Sequence, residues 1–348
     1  MKKRYKIILL VLITGILSAE YGHYGDAYIL AGRSSQSVAM GGTGLTSLNG
    51  ITSVISNPAG LIGYRDKEIF TQFNNVFGLA FQNSIGISMP YGDYQIGALV
   101  NTVGVQLYRR DDIINGISSI NDRRDYVREF LGTETFYDME SALLLSIARE
   151  TPVNIKMGWS YDRFVIRIQY GANLKFIYKR LDGHSALGAG LDAGVRFMIP
   201  GNEVFYIKRL GVISLGLNME NFIKSPVVWF NNPYIDYGNM RLLGGIALHQ
   251  PVKALSSEVR FALDGYVFES RFFPYSGIRF GMQWKVKDFL DIRFGKDLSG
   301  VSGGAGLKLP VMNGKMKLDY TIQYHEINWS HLISLSYYWG ETKQETGE

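Results

Sequence analysis

From Val165 the chain reads VIRIQYGANLKFIYK, and apolar side chains recur at every second position. Ile166, Ile168, Tyr170, Ala172, Leu174, Phe176 and Tyr178 share one face of an extended chain. Arg167, Gln169, Gly171, Asn173, Lys175 and Lys179 share the other, with Val165 and Ile177 among them. A repeat of two belongs to a β-strand, whose successive side chains point to opposite sides of the sheet. Runs of this length exceed the globular strand of about five to six residues and match a tilted strand that crosses a bilayer.

The same alternation returns in KMKLDYTIQYH. There Met316, Leu318, Tyr320, Ile322 and Tyr324 oppose Lys315, Lys317, Asp319, Thr321, Gln323 and His325. It returns again in GIRFGMQWKV, where Ile278, Phe280, Met282, Trp284 and Val286 oppose Arg279, Gln283 and Lys285. FLDIRFG and LGAGLDAGVRF place Asp291, Arg293, Asp192 and Arg196 on the second face. A secreted sandwich would also alternate, apolar inside and polar outside. Three features favour a membrane barrel instead: strand length, aromatics near segment ends (Tyr178, Trp284, Tyr324, Trp339), and a second face mixing both charge signs with glycine.

The expected fold is therefore all-β, a transmembrane antiparallel β-barrel over residues 67–340. Strands are expected to begin near Lys67, Asn83, Tyr94, Asp138, Phe164, Ala186, Arg209, Asn239, Ser257, Tyr275, Phe289, Gly300, Lys315 and His331. That is an even set of about 14, as bacterial barrels require. VNIKMGWSYD, from Val153, reads as a further strand or an extension of one. The long connections at 109–137 and 223–238 are expected outside the cell, and turns such as those at Pro90 and Val311 on the periplasmic side. The connection at 150–163 is long for a periplasmic turn. Within the first long connection, INDRRDYVREFLG reads as a short amphipathic helix with Val127, Phe130 and Leu131 on one side.

Composition agrees. Forty glycines against nine prolines, with 22 Tyr and 19 Phe, suit many strands and tight turns. The absence of cysteine excludes disulfides and thiolate metal sites and suits an envelope compartment. A net charge of +5 from 36 basic and 31 acidic residues is too balanced to argue for nucleic acid. Residues 1–19 combine a basic start, an apolar run from Ile7 to Leu17 and Ser18-Ala19, the pattern of a cleaved signal peptide. No run of 18 apolar residues follows, so no spanning helix is expected. The last residues, 341–348, read as a polar tail.

No constellation of catalytic groups emerges. GGTG, at 41–44, lacks the Lys and Ser/Thr of a phosphate loop. GAGLDAG has the wrong spacing for a dinucleotide turn, and its glycines read as lumen-facing positions where bulk is unwanted. The five histidines are scattered, and no nucleophile elbow is present. No enzyme, cofactor or metal site is expected. The charges assigned to the lumen are Arg167, Lys175, Lys179, Arg279, Lys285, Arg293 and Lys317, facing Asp192, Glu258, Asp264, Asp291 and Asp319. They read as a paired network filling a narrow interior, with an anion-selective pore as the alternative.

The segment AGRSSQSVAMGGTGLTSLNGITSVISNPAGL, residues 31–61, resembles the N-terminus of the PorV/PorQ family, which is related to the FadL-type long-chain fatty acid transporters. The resemblance rests on Gly32-Arg33-Ser34, Ala39-Met40-Gly41-Gly42-Thr43-Gly44 and Asn57-Pro58-Ala59-Gly60-Leu61. LKFIYKRLDGHSALGAGLDAGV, residues 174–195, is similar to the family's mid-barrel hairpin, and HLISLSYYWG to its last strand. The resemblance implies a 14-stranded barrel whose N-terminal segment, residues 20–66, folds into the lumen as a hatch. Gly41, Gly42, Gly44, Asn57, Pro58, Ala59 and Gly60 would form that plug. The residues suit it: the glycines permit positive φ and close approach, and Pro58 keeps Asn57 out of the helical region. It further implies passage of hydrophobic or amphipathic small molecules. The alternative is a role in type IX secretion, with cargo proteins held by the extracellular loops. Outer-membrane lipid and the barrel-assembly machinery are the remaining implied partners. Unlike the fatty-acid transporters, which carry an apolar ligand pocket, this chain has a strongly charged inner face.

Overall fold

The computed structural model describes residues 33–108, 119, 121–122, 135–156, 163–230, 234–269, 277–297, 300–325 and 328–340. The expected signal peptide, Val127, Phe130 and Leu131 of the expected helix, and the polar tail lie outside the described residues. No described helix is long and apolar enough to cross a membrane.

Among the described residues, sixteen strands form one antiparallel sheet. They are β1 (Lys67–Val76), β2 (Ala80–Tyr91), β3 (Tyr94–Tyr108), β4 (Thr135–Lys156), β5 (Arg163–Leu181), β6 (His184–Pro200), β7 (Val212–Glu220), β8 (Ser225–Trp229) and β9 (Ile235–Gly238). The remainder are β10 (Arg241–Val252), β11 (Ser257–Glu269), β12 (Arg279–Val286), β13 (Leu290–Lys296), β14 (Gly300–Val311), β15 (Gly314–His325) and β16 (Trp329–Trp339). Fourteen of them close a ring: β1 pairs with β16 from Lys67↔Trp339 to Asn75↔His331, and β7 pairs with both β6 and β10.

Of the two readings expected of the stretch after Val153 the structure has the extension, and the loop expected at 223–238 is corrected. The alternation after Val153 extends β4 to Lys156, where it pairs with Arg163 of β5, so the connection to β5 shortens to residues 157–162. The region expected as a long loop at 223–238 instead holds the β8–β9 hairpin. β7 has only 9 residues against 17 in β6, which leaves the first residues of β6 without a partner on that side. β8 supplies one, pairing Trp229, Val228 and Val227 with Ala186, Leu187 and Gly188. An unpaired strand edge costs several kcal/mol per lost hydrogen bond in lipid, which gives the hairpin its reason.

The outer surface is apolar. Phe294 and Ile333 are 52% and 51% exposed, and Phe73, Ile85, Leu174, Phe176, Leu217 and Tyr320 are likewise exposed. On β16, of 11 residues, Trp329 and Trp339 mark the two ends of the outward row. At about 3.3 Å per residue and a tilt of roughly 40°, that row spans about 25 Å, the height of a lipid-facing band. Ile333, near its middle, gives the first prediction. Ile333→Arg should destabilise the folded protein in lipid vesicles by about 2–4 kcal/mol, read by denaturant unfolding.

Candidate functional site: the segment packed within the barrel

Residues 33–66 form three short helical pieces. Helix α1 (Ser35–Ala39) is capped by Ser34, whose hydroxyl accepts from Ser37 N at 3.2 Å. Gly41 and Gly42 follow with φ of +64° and +79°, and they reverse the chain. Gly44 does not share that conformation; its lack of a side chain matters because a Cβ there would come within 2.5 Å of Ser56 Oγ. Two 3-10 turns complete the segment, at Ile51–Ser53 and Pro58–Gly63. Asn57 caps the second. Pro58 at the first position keeps Asn57 extended at φ −160°, ψ 109°, and Asn57 Oδ1 accepts from Ala59 N at 3.0 Å. Asn57 Nδ2 donates to Leu45 O at 3.0 Å and so ties the two halves of the segment together.

These pieces are too short to satisfy their own backbone, and the barrel wall supplies the partners. Glu68 of β1 accepts from Ile51 N at 2.8 Å, and Gln72 accepts from Ser35 N at 2.7 Å. Asp264 of β11 accepts from Gly44 N and Leu45 N at 2.7 and 2.9 Å through one oxygen. Arg196 of β6 donates to Leu45 O and Leu48 O, Asn173 of β5 to Val54 O, Arg260 of β11 to Ser47 O, and Thr321 of β15 to Ser35 O. Partners come from strands right around the ring, all on inward faces, so the segment packs within the barrel. Glycines on the wall admit it: a Cβ on Gly171 would meet Pro58, and one on Gly194 would meet Asn57.

The interior is uneven. On the β1–β6 side, Ile51, Val54, Ile55, Leu61 and Ile62 pack on Phe70, Leu99, Ala142, Leu144 and Ile177, in a cluster that reaches Ala186 and Val227. The β13–β15 side is charged. Arg293 reaches Asp319 through Nη1 and Asp291 through Nη2, each at 2.6 Å, and Lys317 bridges the same carboxylates at 3.1 and 3.6 Å. Lys175 pairs with Asp192 at 2.6 Å and donates to Asn221 Oδ1 at 2.6 Å. Lys179 pairs with Glu140 at 2.7 Å and, more loosely, with Asp236 at 3.6 Å. Burial pushes the Tyr64 phenol, inside the segment, up to about 12.

Seven of the charges assigned to the lumen from the sequence thus sit in buried ion pairs. Arg279 is buried and donates to Tyr266 Oη at 2.6 Å. Two do not fit the expectation. Arg167 keeps the inward parity but lies near the end of the long β5, where it is exposed. Lys285 is half-exposed beside the β12–β13 turn and pairs with Asp288 at 2.6 Å. That hydrogen bond and charge hold the exposed Asp288 carboxyl below its ordinary range. Glu68, Gln72 and Arg260, which bind the segment, were not singled out, although each falls on the polar parity of its strand. Among the described residues, no group of His, Asp and Glu could hold a metal ion.

No family model matches the sequence, and no curated protein does. Solved structures do. The deltaS2 mutant of TodX, a monoaromatic hydrocarbon channel, matches with a TM-score of 0.50 at 12% identity, covering 90% of this chain and 99% of that one. A second monoaromatic hydrocarbon channel, CymD, matches at 0.36 and 11% identity, covering 88% and 97%. The outer membrane protein Omp33 of Acinetobacter baumannii matches at 0.34 and 9% identity, covering 80% and 98%. At such identities the likeness speaks for fold, and the fold is a closed 14-stranded antiparallel β-barrel of the outer membrane.

Two substitutions probe the interior. Asp319→Asn removes a charge that Arg293 and Lys317 share, and breaking such a buried pair should cost about 3–5 kcal/mol in unfolding measurements. Asn57→Ala removes the cap and the tie to Leu45. It should cost roughly 1–2 kcal/mol and raise proteolytic cleavage within residues 44–60, while the barrel itself stays resistant.

Proposed function

We propose that this barrel passes hydrophobic or amphipathic small molecules across the outer membrane, with residues 33–66 as a hatch that must rearrange for passage. The observation that carries the reading is the division of the interior. The segment is clasped by polar side chains below and beside it. Along β3–β6 and β8, Val103, Ala142, Ile177, Ala186, Val227 and Trp229 join Ile51, Val54 and Leu61 of the segment in one buried apolar cluster. An apolar seam between the segment and the wall suits a hydrophobic ligand that enters as the segment gives way. TodX and CymD, both hydrocarbon channels by name, are in keeping with such a ligand. Nothing in the reading calls for bond-making chemistry or a cofactor.

The experiment is uptake of a labelled monoaromatic hydrocarbon into cells that carry the intact protein, a variant lacking residues 33–61, or no barrel. Intact protein should raise uptake over cells without it, and deletion should change the rate and open an ion conductance in planar bilayers. Equal uptake in all three would sink the channel; equal conductance with and without the segment would sink the hatch.

A further inference from the structure

On the outer face of the barrel, Lys67, the first residue of β1, is in register with Trp339, the last of β16, and Ile69 with Tyr337. Directly opposed residues share a face of the sheet, so these four side chains form one patch at the rim of the lipid-facing surface. The Tyr337 and Trp339 rings stack, with centroids 5.6 Å apart and planes at 22°. Beside them lies an open notch of about 580 Å³, lined by Ile69, Asn313, Tyr337, Trp339 and Gly340. That is within the roughly 300–1,000 Å³ of sites that hold small organic molecules. Gly314 helps to shape it: a Cβ there would stand 2.8 Å from Tyr337 Cζ, so the ring lies close against the β14–β15 turn.

The cation at this patch has no acidic partner. Lys67 is exposed and, among the described residues, forms no ion pair; nor do the nearby Arg65, Lys308 and Lys315. Lys315 is in register with Tyr338, and Lys308 Nζ lies 5.7 Å from the Tyr338 ring centroid, on the inward face of the same end. Comparable rim positions are already satisfied. Arg149, on β4, pairs with Asp93 at 2.9 Å and lies over the Tyr94 ring. At the other end of β16, Trp329 packs on Tyr324, His331 is hydrogen-bonded to Tyr320 Oη, and the residue opposite His331 is the neutral Asn75.

An exposed ammonium at the edge of the apolar band stands at the level of lipid headgroups, where the counter-charges on offer are phosphates. Stacked Tyr and Trp rings at that level present an apolar face with polar edges, suited to the boundary between glycerol and acyl chain. The further unpaired cations at this end favour a lipid with net negative charge over a zwitterionic one.

We propose that this notch binds one anionic phospholipid of the surrounding leaflet. Lys67 holds its phosphate, and its glycerol and upper acyl chain lie along the Tyr337–Trp339 stack. The site does not depend on what the barrel passes.

The test uses the whole chain with Trp339 as its single tryptophan, through Trp159→Phe, Trp229→Phe, Trp284→Phe and Trp329→Phe. It is reconstituted in vesicles of phosphatidylcholine and phosphatidylglycerol, one or the other brominated to quench tryptophan fluorescence. At equal mole fraction, phosphatidylglycerol should quench Trp339 as a lipid bound about threefold or more tightly than phosphatidylcholine. Lys67→Gln should abolish the preference and Lys67→Arg should keep it. Lys287→Gln, the same charge change on another exposed turn at this end, should leave it in place. A companion chain with Trp329 as its single tryptophan should show no preference. Should the single-tryptophan chains fail to fold, native mass spectrometry of the wild type and Lys67→Gln decides, with less phosphatidylglycerol retained by the variant. Equal quenching by the two lipids, a preference that survives Lys67→Gln, one shared by Trp329 or lost as fully in Lys287→Gln, or equal lipid retention would overturn the site.

Discussion

A backbone amide or carbonyl that meets lipid has no water to bond, so every strand in the bilayer needs a partner on both sides. The pairing of β1 with β16 meets that demand at the point where an open sheet would leave two edges. It also dictates the less regular parts of the ring. β7 is too short to cover all of β6, and β8 takes over at Ala186–Gly188. Val153–Lys156 adds to β4 because β5 continues to offer partners there. Unequal strands are tolerated where a neighbouring piece of chain completes the ladder.

Closure then sets the problem of the interior. Alternation forces half of every strand inward, and for this chain that half carries many charges and amides. Unpaired, these would be costly in a space that holds little water. The N-terminal segment solves the matching problem from the other side. Its helical pieces, of three to six residues, leave amides and carbonyls without internal partners. Glu68, Asp264, Arg196, Arg260 and Asn173 have capacity to spare, and each set satisfies the other. The interior is therefore two surfaces that supply hydrogen-bond partners to each other.

Much of this was legible in the alternation itself. The strands of the ring, their faces, and the burial of Lys175, Asp192, Arg293, Lys317 and Asp319 all follow from a period of two. What was not legible depends on contacts between distant residues. β8 and β9 are five and four residues long, too short to show a period, and their place is set by the length of β7. Arg167 and Lys285 have the right parity, but parity does not say where a tilted strand leaves the enclosed bore. Ion-pair partners such as Asp236 with Lys179 come from the hairpin and are invisible along a single strand. The apolar intrusions on the inward faces, Phe70 between Glu68 and Gln72 and Ile177 between Lys175 and Lys179, were visible as breaks in pattern. Their meaning, a seat for Ile51, Val54 and Leu61, needed the fold.

The same mutual satisfaction limits how the proposed hatch could work. A typical hydrogen bond contributes about 0.5–1.5 kcal/mol net, so releasing the whole set from the wall would cost on the order of 10 kcal/mol, comparable with the stability of an entire domain. Burial of Ile51, Val54, Leu61 and Ile62 adds to that cost. Wholesale withdrawal is therefore a poor route, and a local change is a better one. The positive-φ pair Gly41-Gly42 lies between α1, anchored to β1, β15 and β16, and the 44–63 stretch, anchored to β5, β6 and β11. A shift of one anchored part relative to the other, pivoting at these glycines, breaks few bonds at a time and leaves the rest of the interior paired.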